Sequence, residues 1–255
     1  MLLAIDMGNT NITLGIYAGE QLKFVSRIAT DLSRMRDQYA ADLLSIFQLY
    51  QLDGRQFEGA IISSVVPTLE HTMCEAVELI TGKKPLVVGP GTKTGINIRI
   101  DNPAQLGADL LVGAVAAVSK FGSPCVVWDL GTATTVSVIG ENNTFLGGAI
   151  MAGVTTSVKS LVSNASLLFD VSMDAPKSVI GSNTAACMQS GSIFGTAAMI
   201  DGMNRRIFDE LGYETPVAVT GGLASEILPH CQGRLYYDNN LLLEGLRLIY
   251  EKNKK

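Results

Sequence analysis

Histidine is scarce: His71 and His230 are the only two in 255 residues. Neither stands in a nucleophile motif, which counts against Ser/His/Asp and Cys/His hydrolysis. The four cysteines, Cys74, Cys125, Cys187 and Cys231, are scattered and form no C-x-x-C pair. Neither a disulfide framework nor structural zinc is supported, and reduced thiols are expected. His71 lies three residues before Cys74 and His230 directly precedes Cys231, spacings that build no four-ligand site. Basic charge is also short, with 19 Lys and Arg against 24 Asp and Glu and a net charge of −5. That argues against a general nucleic-acid binder, which carries a basic face. It leaves nucleotides open, because backbone N–H groups and a metal ion can meet their phosphates. The apolar run LLVGAVAAV at 110–118 falls far short of the ~18–20 residues a membrane span needs. The N-terminal apolar run has no basic flank and is broken by Asp6, so no secretion signal is expected. A cytoplasmic protein with neither membrane nor nucleic-acid partners is the expectation.

What is present is a core. A hydrophobic fraction of 47% against 17% charged residues describes a packed chain, long enough for one large domain or two of about 100–150 residues. Alternation and turn residues predict three strands at 2–6, 11–17 and 21–30, then a helix at 36–51. A strand at 59–67, a helix to about Thr81, a strand at 85–89 and a helix from near Pro103 follow. The order then repeats: strands at 125–129, 134–140 and 143–150, helices near 153–168 and 183–212, a strand at 217–222, a short helix, a strand at 234–238 and a closing helix at 240–251. A duplicated β-β-β-α-β-α-β-α order predicts two α/β domains, residues 1–115 and 116–255. Each is expected to be a mixed sheet flanked by helices, with a cleft between them and a short hinge near 112–123.

Five segments carry candidate chemistry. In DMGNTN, Asp6 ends a buried strand, Gly8 permits close backbone approach, and Thr10 and Asn11 offer side-chain donors. Asp6 is placed to hold Mg²⁺ through water; an ordinary Asx-type turn is the plain alternative. DLGTATT repeats the design with Asp129, Gly131 and Thr132, and two matching turns suggest loops that clamp a polyphosphate. In DNPAQLGADLL, Asn102, Pro103 and Gln105 read as a capping box. Gly107 and Asp109 then fall early in an apolar helix, where both have poor propensity. Asp109 is a candidate general base, or else a solvated or capping carboxylate. VTGGLA suits a base or ribose lying against Gly221 and Gly222, or a tight turn. In GSNTAACMQSG, Ser182, Asn183 and Thr184 mark a helix start, with Thr184 either a cap or a ligand contact.

The duplicated order and the Asp-x-Gly-x-Thr loops resemble the actin-like (ribonuclease H-like) superfamily of acetate and sugar kinases, actin and related chaperones. Within it, DMGNTN, DNPAQLGAD, DLGTATT, LGGAI, IGSNTAACMQSG and VTGGLA together resemble type III pantothenate kinases, across effectively the whole chain. The resemblance implies phosphorylation of pantothenate by ATP to 4′-phosphopantothenate, the first step toward coenzyme A, in a homodimer. It implies that Asp6, Met7, Gly8, Asn9, Thr10, Asn11, Ile12 and Thr13 bind ATP phosphates, with Asp6 near Mg²⁺ and Thr132 also on ATP. It implies that Gly107, Ala108, Asp109 and Leu110 contact pantothenate, with Asp109 taking the hydroxyl proton. Asp129 is implied to coordinate a monovalent cation, K⁺ or NH₄⁺, and Thr184 to contact pantothenate across the dimer interface.

Three positions depart from the family pattern: Leu110 where many members have Arg, Ser137 where many have Asp, and Ile100 where an aromatic is common. They mark either a rearranged pantothenate pocket or weakened catalysis. The retention of Asp6, Asp109 and Asp129 favours an active kinase. The rivals are a non-catalytic transcription regulator on the same fold, and an actin-like kinase of a sugar or acetate.

Overall fold

A computed structural model describes residues 1–254. The elements run β1 (Leu2–Met7), β2 (Asn11–Ala18), β3 (Gln21–Ala29), α1 (Arg36–Leu49), β4 (Gly59–Ser64), α2 (Pro67–Thr81), β5 (Leu86–Val87), β6 (Asn97–Ile98) and α3 (Ala108–Phe121). They continue with β7 (Cys125–Leu130), β8 (Ala133–Gly140), β9 (Thr144–Ala152), α4 (Val154–Asn164), α5 (Thr184–Leu211), β10 (Val217–Thr220), α6 (Ala224–Ile227), β11 (Leu235–Tyr237) and α7 (Leu241–Asn253).

The chain forms two compact units. The first has a five-stranded sheet ordered β3-β2-β1-β4-β5, and the second a six-stranded sheet ordered β11-β10-β7-β8-β9-β6. Read from the hairpin side, β9-β8-β7-β10-β11 repeats the first sheet strand for strand. β1 pairs antiparallel with β2 and parallel with β4. β7 likewise pairs antiparallel with β8 and parallel with β10. The central strands LLAIDM and CVVWDL even share one burial pattern, four buried residues, a half-buried Asp and a buried residue. Continuous apolar runs of this kind are what a strand covered on both faces requires.

Leu3, Ile5 and Met7 of β1 pack with Ile12, Leu14, Tyr39, Leu43 and Phe47 in the first core. Val126, Trp128 and Leu130 of β7 pack with Val136, Ile193, Ala197 and Ile200 in the second. Trp128 is fully buried, and its Nε1–H donates to Asn204 Oδ1 at 2.8 Å.

The units are interleaved in sequence, unlike the expected consecutive halves at 1–115 and 116–255. Residues 97–100 belong to the second unit, while residues 101–119 and the closing stretch from Asn240 belong to the first. The closing stretch joins the first unit through α7, whose Leu241, Leu243, Leu246 and Ile249 are buried and which packs on β1, β2 and β4. Gly245 lets α7 also approach α3 closely, because a Cβ there would lie 2.1 Å from the Val112 carbonyl oxygen. β6 is the one strand with no counterpart in the sequence reading; it adds to the edge of β9 through Asn97 and Ile98.

Candidate active site

In the first unit, β1 delivers Asp6 half-buried at its penultimate position, beside Thr13 of β2. The turn that follows is fixed by its own backbone: the Gly8 N–H donates to the Asn11 carbonyl at 3.0 Å. The end of β3 ties it down further. Thr30 Oγ1 donates to the Gly8 carbonyl at 2.6 Å, and the Thr30 N–H donates to the Thr10 carbonyl at 3.0 Å. Met7 and Ile12 anchor the turn in the core, whereas Asn9, Thr10 and Asn11 are exposed at its tip. The result is a polar loop held rigidly by a buried base.

The second unit repeats this with β7, where Asp129 is half-buried beside Thr135 of β8, and with a tip of Gly131, Thr132 and Ala133, all exposed. The Thr132 carbonyl accepts from the Gly153 N–H at 3.1 Å and from Thr156 Oγ1 at 2.8 Å. Two neighbouring glycines are steric requirements of the turn. A Cβ on Gly153 would lie 2.2 Å from the Gly131 carbonyl oxygen, and one on Gly221, at φ +105°, would lie 2.5 Å from Leu130 backbone atoms. Gly221 therefore lets the β10–α6 junction press against the Asp129 turn. Gly222 has open space around it.

The third segment differs locally from the sequence reading. Pro103–Gln105 form a single 3₁₀ turn, with Asn102 Oδ1 accepting from the Ala104 N–H at 3.2 Å in place of a full capping box. α3 begins at Ala108, so Gly107 precedes the helix and Asp109 lies in its first turn. Proline at 103 fits a first turn but does not propagate here, because Leu106 turns to extended geometry (φ −66°, ψ 122°) before α3 starts. Asp109 Oδ1 accepts from the Leu110 N–H at 2.8 Å. A Cβ on Gly107 would come within 2.4 Å of that same oxygen, so the absence of a side chain gives the carboxylate its place. Burial raises the Asp109 pKa above its ordinary 3.8, partly offset by the backbone N–H groups of Leu110 and Asp109. Ala108 and Leu110 are half-buried beside it.

Thr184 opens α5 and is exposed, but the cap is Asn183, whose Oδ1 accepts from the Ala186 N–H at 2.9 Å. The Thr184 side chain is thereby relieved of capping. Of the three departures, Ser137 is buried within β8, while Leu110 and Ile100 are half-buried. Asp6 to Thr13 and Gly107 to Leu110 thus belong to the first unit, and Asp129, Thr132 and Thr184 to the second. Among the described residues, no group of three or more His, Cys, Asp or Glu gathers to hold a metal.

A family model described as type III pantothenate kinase matches residues 2–206. Type III pantothenate kinases from Moorella thermoacetica and from an Exiguobacterium species are 43% and 42% identical over 255 residues, covering 99% and 100% of this chain and all of each relative. The chain belongs to the type III pantothenate kinase family. Solved structures bear on its fold alone. A Campylobacter jejuni protein described as a Baf family transcriptional activator superposes at TM-score 0.59 with 20% identity, covering 98% of both chains. Component A of (R)-2-hydroxyglutaryl-CoA dehydratase from Acidaminococcus fermentans superposes at 0.58 with 14% identity, covering 100% and 99%. The fold of this pantothenate kinase family member is thus α/β, with two mixed sheets of the actin-like kind.

Sequence reasoning missed two hydroxyls beside the acidic residues. Ser63 of β4 stands directly beside Asp6, and Thr220 of β10 beside Asp129. The available signal was strand order, since in both units the parallel neighbour of the first strand carries a hydroxyl residue level with the Asp within its last two positions. No helix among the described residues is long and apolar enough to cross a membrane.

Proposed function

We propose that this chain transfers the γ-phosphoryl group of ATP to the primary hydroxyl of pantothenate, with Asp109 as general base. The observation that carries the reading is the Asp109 site: a half-buried carboxylate in the first turn of α3, with its room guaranteed by Gly107 and its pKa raised by burial. A carboxylate whose pKa is raised takes up a proton more readily, while the first-turn N–H groups keep enough negative charge on it to act. Asp109 removes the hydroxyl proton as the oxygen attacks phosphorus, and ADP leaves with the electron pair of the broken P–O bond. Phosphoryl transfer needs little further covalent chemistry; it needs in-line positioning and neutralised phosphate charge.

The polar tips of the two Asp turns supply the positioning. Asn9, Thr10 and Asn11 meet ATP phosphates, with Met7, Gly8, Ile12 and Thr13 shaping their turn, and Thr132 is a further ATP contact. Ala108 and Leu110 line the approach to Asp109, and Thr184, freed by the Asn183 cap, contacts pantothenate in a homodimer. The donor set suits hard cations, being all oxygen. Asp6, with the orphaned Ser63 hydroxyl at its side, fits a hydrated Mg²⁺, and Asp129 fits K⁺ or NH₄⁺. When bound, such cations offset the phosphate charge that an acidic protein otherwise repels. Asp6 would hold the hydrated cation; Asp109 handles the proton.

The test is ADP release from ATP with K⁺ and Mg²⁺, comparing pantothenate with acetate and a panel of sugars. Turnover with pantothenate alone supports the reading. Turnover only with another hydroxyl or carboxyl acceptor overturns the substrate, and no turnover with any acceptor favours the regulator on the same fold.

A further inference from the structure

Ser63 is fully buried and its hydroxyl has no hydrogen-bond partner. Buried hydroxyls are nearly always bonded, so an orphan asks for a reason. The parallel register of β4 on β1 puts Ser63 level with Asp6, and the antiparallel register of β2 puts Thr13 level with it on the other side. Residues level with one another on adjacent strands project to the same face with Cβ atoms about 5 Å apart, within reach of a hydroxyl-to-carboxylate hydrogen bond. The second unit carries the same row as Thr220, Asp129 and Thr135. The row is thus present in both units although their sequences are otherwise different.

The Ser63 hydroxyl is closed to bulk solvent, and a group level with it that can accept its proton is the Asp6 carboxylate. The half-buried Asp6 carboxylate stands level with it on the neighbouring strand, and in the structure it is engaged with another group. We propose that Ser63 is a positioning residue for Asp6. With metal and nucleotide in place, the Ser63 hydroxyl donates to one Asp6 carboxylate oxygen and leaves the other for the hydrated cation. Such outer hydrogen bonds fix the orientation of a carboxylate that serves a metal, and their loss costs about 10–100-fold in metal affinity. The inference rests on Asp6 being the metal-side carboxylate.

The test uses the full chain and Mn²⁺ as a probe, titrated with a non-hydrolysable ATP analogue and followed by the electron paramagnetic resonance signal of free Mn²⁺. Ser63→Ala is expected to weaken Mn²⁺ binding about 10–100-fold and to raise KM for the metal–nucleotide complex more than it lowers kcat. Its Tm is expected to stay level or rise, because the substitution removes a buried hydroxyl that bonds nothing. Ser63→Thr, which keeps the hydroxyl and copies Thr220, is expected to restore binding. Wild-type Mn²⁺ affinity in Ser63→Ala overturns the proposal, as does a lowered Tm with binding unchanged. Asp6→Asn separates the two readings. If it abolishes Mn²⁺ binding while Ser63→Ala does not, only the role of Ser63 fails; if neither variant changes binding, the reading of Asp6 fails too.

Discussion

Gly107→Ala should cripple catalysis while sparing the fold. The added Cβ would lie 2.4 Å from Asp109 Oδ1, where ordinary van der Waals contact begins at 3.4 Å, so the carboxylate must retreat by about 1 Å. The atom in the way is the end of a side chain, not backbone, so the protein relieves the clash by turning Asp109 aside. A displacement of that size at a catalytic group costs on the order of 10²-fold in rate, equivalent to about 2.7 kcal/mol of barrier. Stability should move the other way: replacing a glycine where the backbone is compatible gains about 0.4–1 kcal/mol by restricting the unfolded chain. Steady-state kinetics with pantothenate and ATP, beside a thermal melt of the same preparation, measure both. A kcat within about threefold of wild type would refute the claim that Gly107 sets the place of the base.

Burial raises the Asp109 pKa, and the proposed role as base requires it ionised, so that role predicts an acid limb of the kcat–pH profile above 3.8. Asp109→Asn should cost about 10²–10⁴-fold in kcat. Because a raised folded-state pKa means stability is lost as pH climbs from the unfolded value through the folded one, the variant should be at least as stable as wild type near neutrality. Gly153→Ala forces a Cβ to within 2.2 Å and 2.4 Å of the Gly131 and Thr132 carbonyl oxygens. Backbone cannot swing aside as a carboxylate can, so a loss of about 1–3 kcal/mol and a raised KM for ATP are expected from denaturation and kinetics. Asn204→Leu removes the acceptor of the buried Trp128 Nε1–H and should cost about 1–3 kcal/mol. Trp128 is the only tryptophan, so its fluorescence reports that unfolding directly.

The strands were legible in the sequence because apolar alternation and turn residues bracket them; β1, β2, β7 and β8 fall within a residue or two of their expected bounds. The duplication was legible through the two Asp turns. What escaped depends on contacts between distant segments. Nothing local in LLLEGLRLIY says that α7 packs on β1, β2 and β4; its apolar stripe would serve any sheet. Asn97 and Ile98 form a strand only because β9 offers an edge. PLVVG shrinks to Leu86–Val87, with the Gly89 N–H donating to Thr92 Oγ1 instead of a ladder. Among the candidate site residues, Asp6 and Asp109 stand out by residue type and position. The Ser63 hydroxyl does not, since only the register of β4 on β1 brings it level with Asp6. The purpose of Gly107 likewise becomes visible only when a Cβ is placed against the carboxylate.

The central claim, that Asp109 in this fold drives phosphorylation of pantothenate, is tested most directly by product identity. Purified wild-type chain and Asp109→Asn would be incubated with ATP, Mg²⁺, K⁺ and pantothenate, and the products followed by mass spectrometry and phosphorus NMR. The account predicts 4′-phosphopantothenate in step with ADP from the wild type, and almost none from the folded variant. Undiminished product from Asp109→Asn, or ADP formed by wild type without phosphopantothenate, would contradict it.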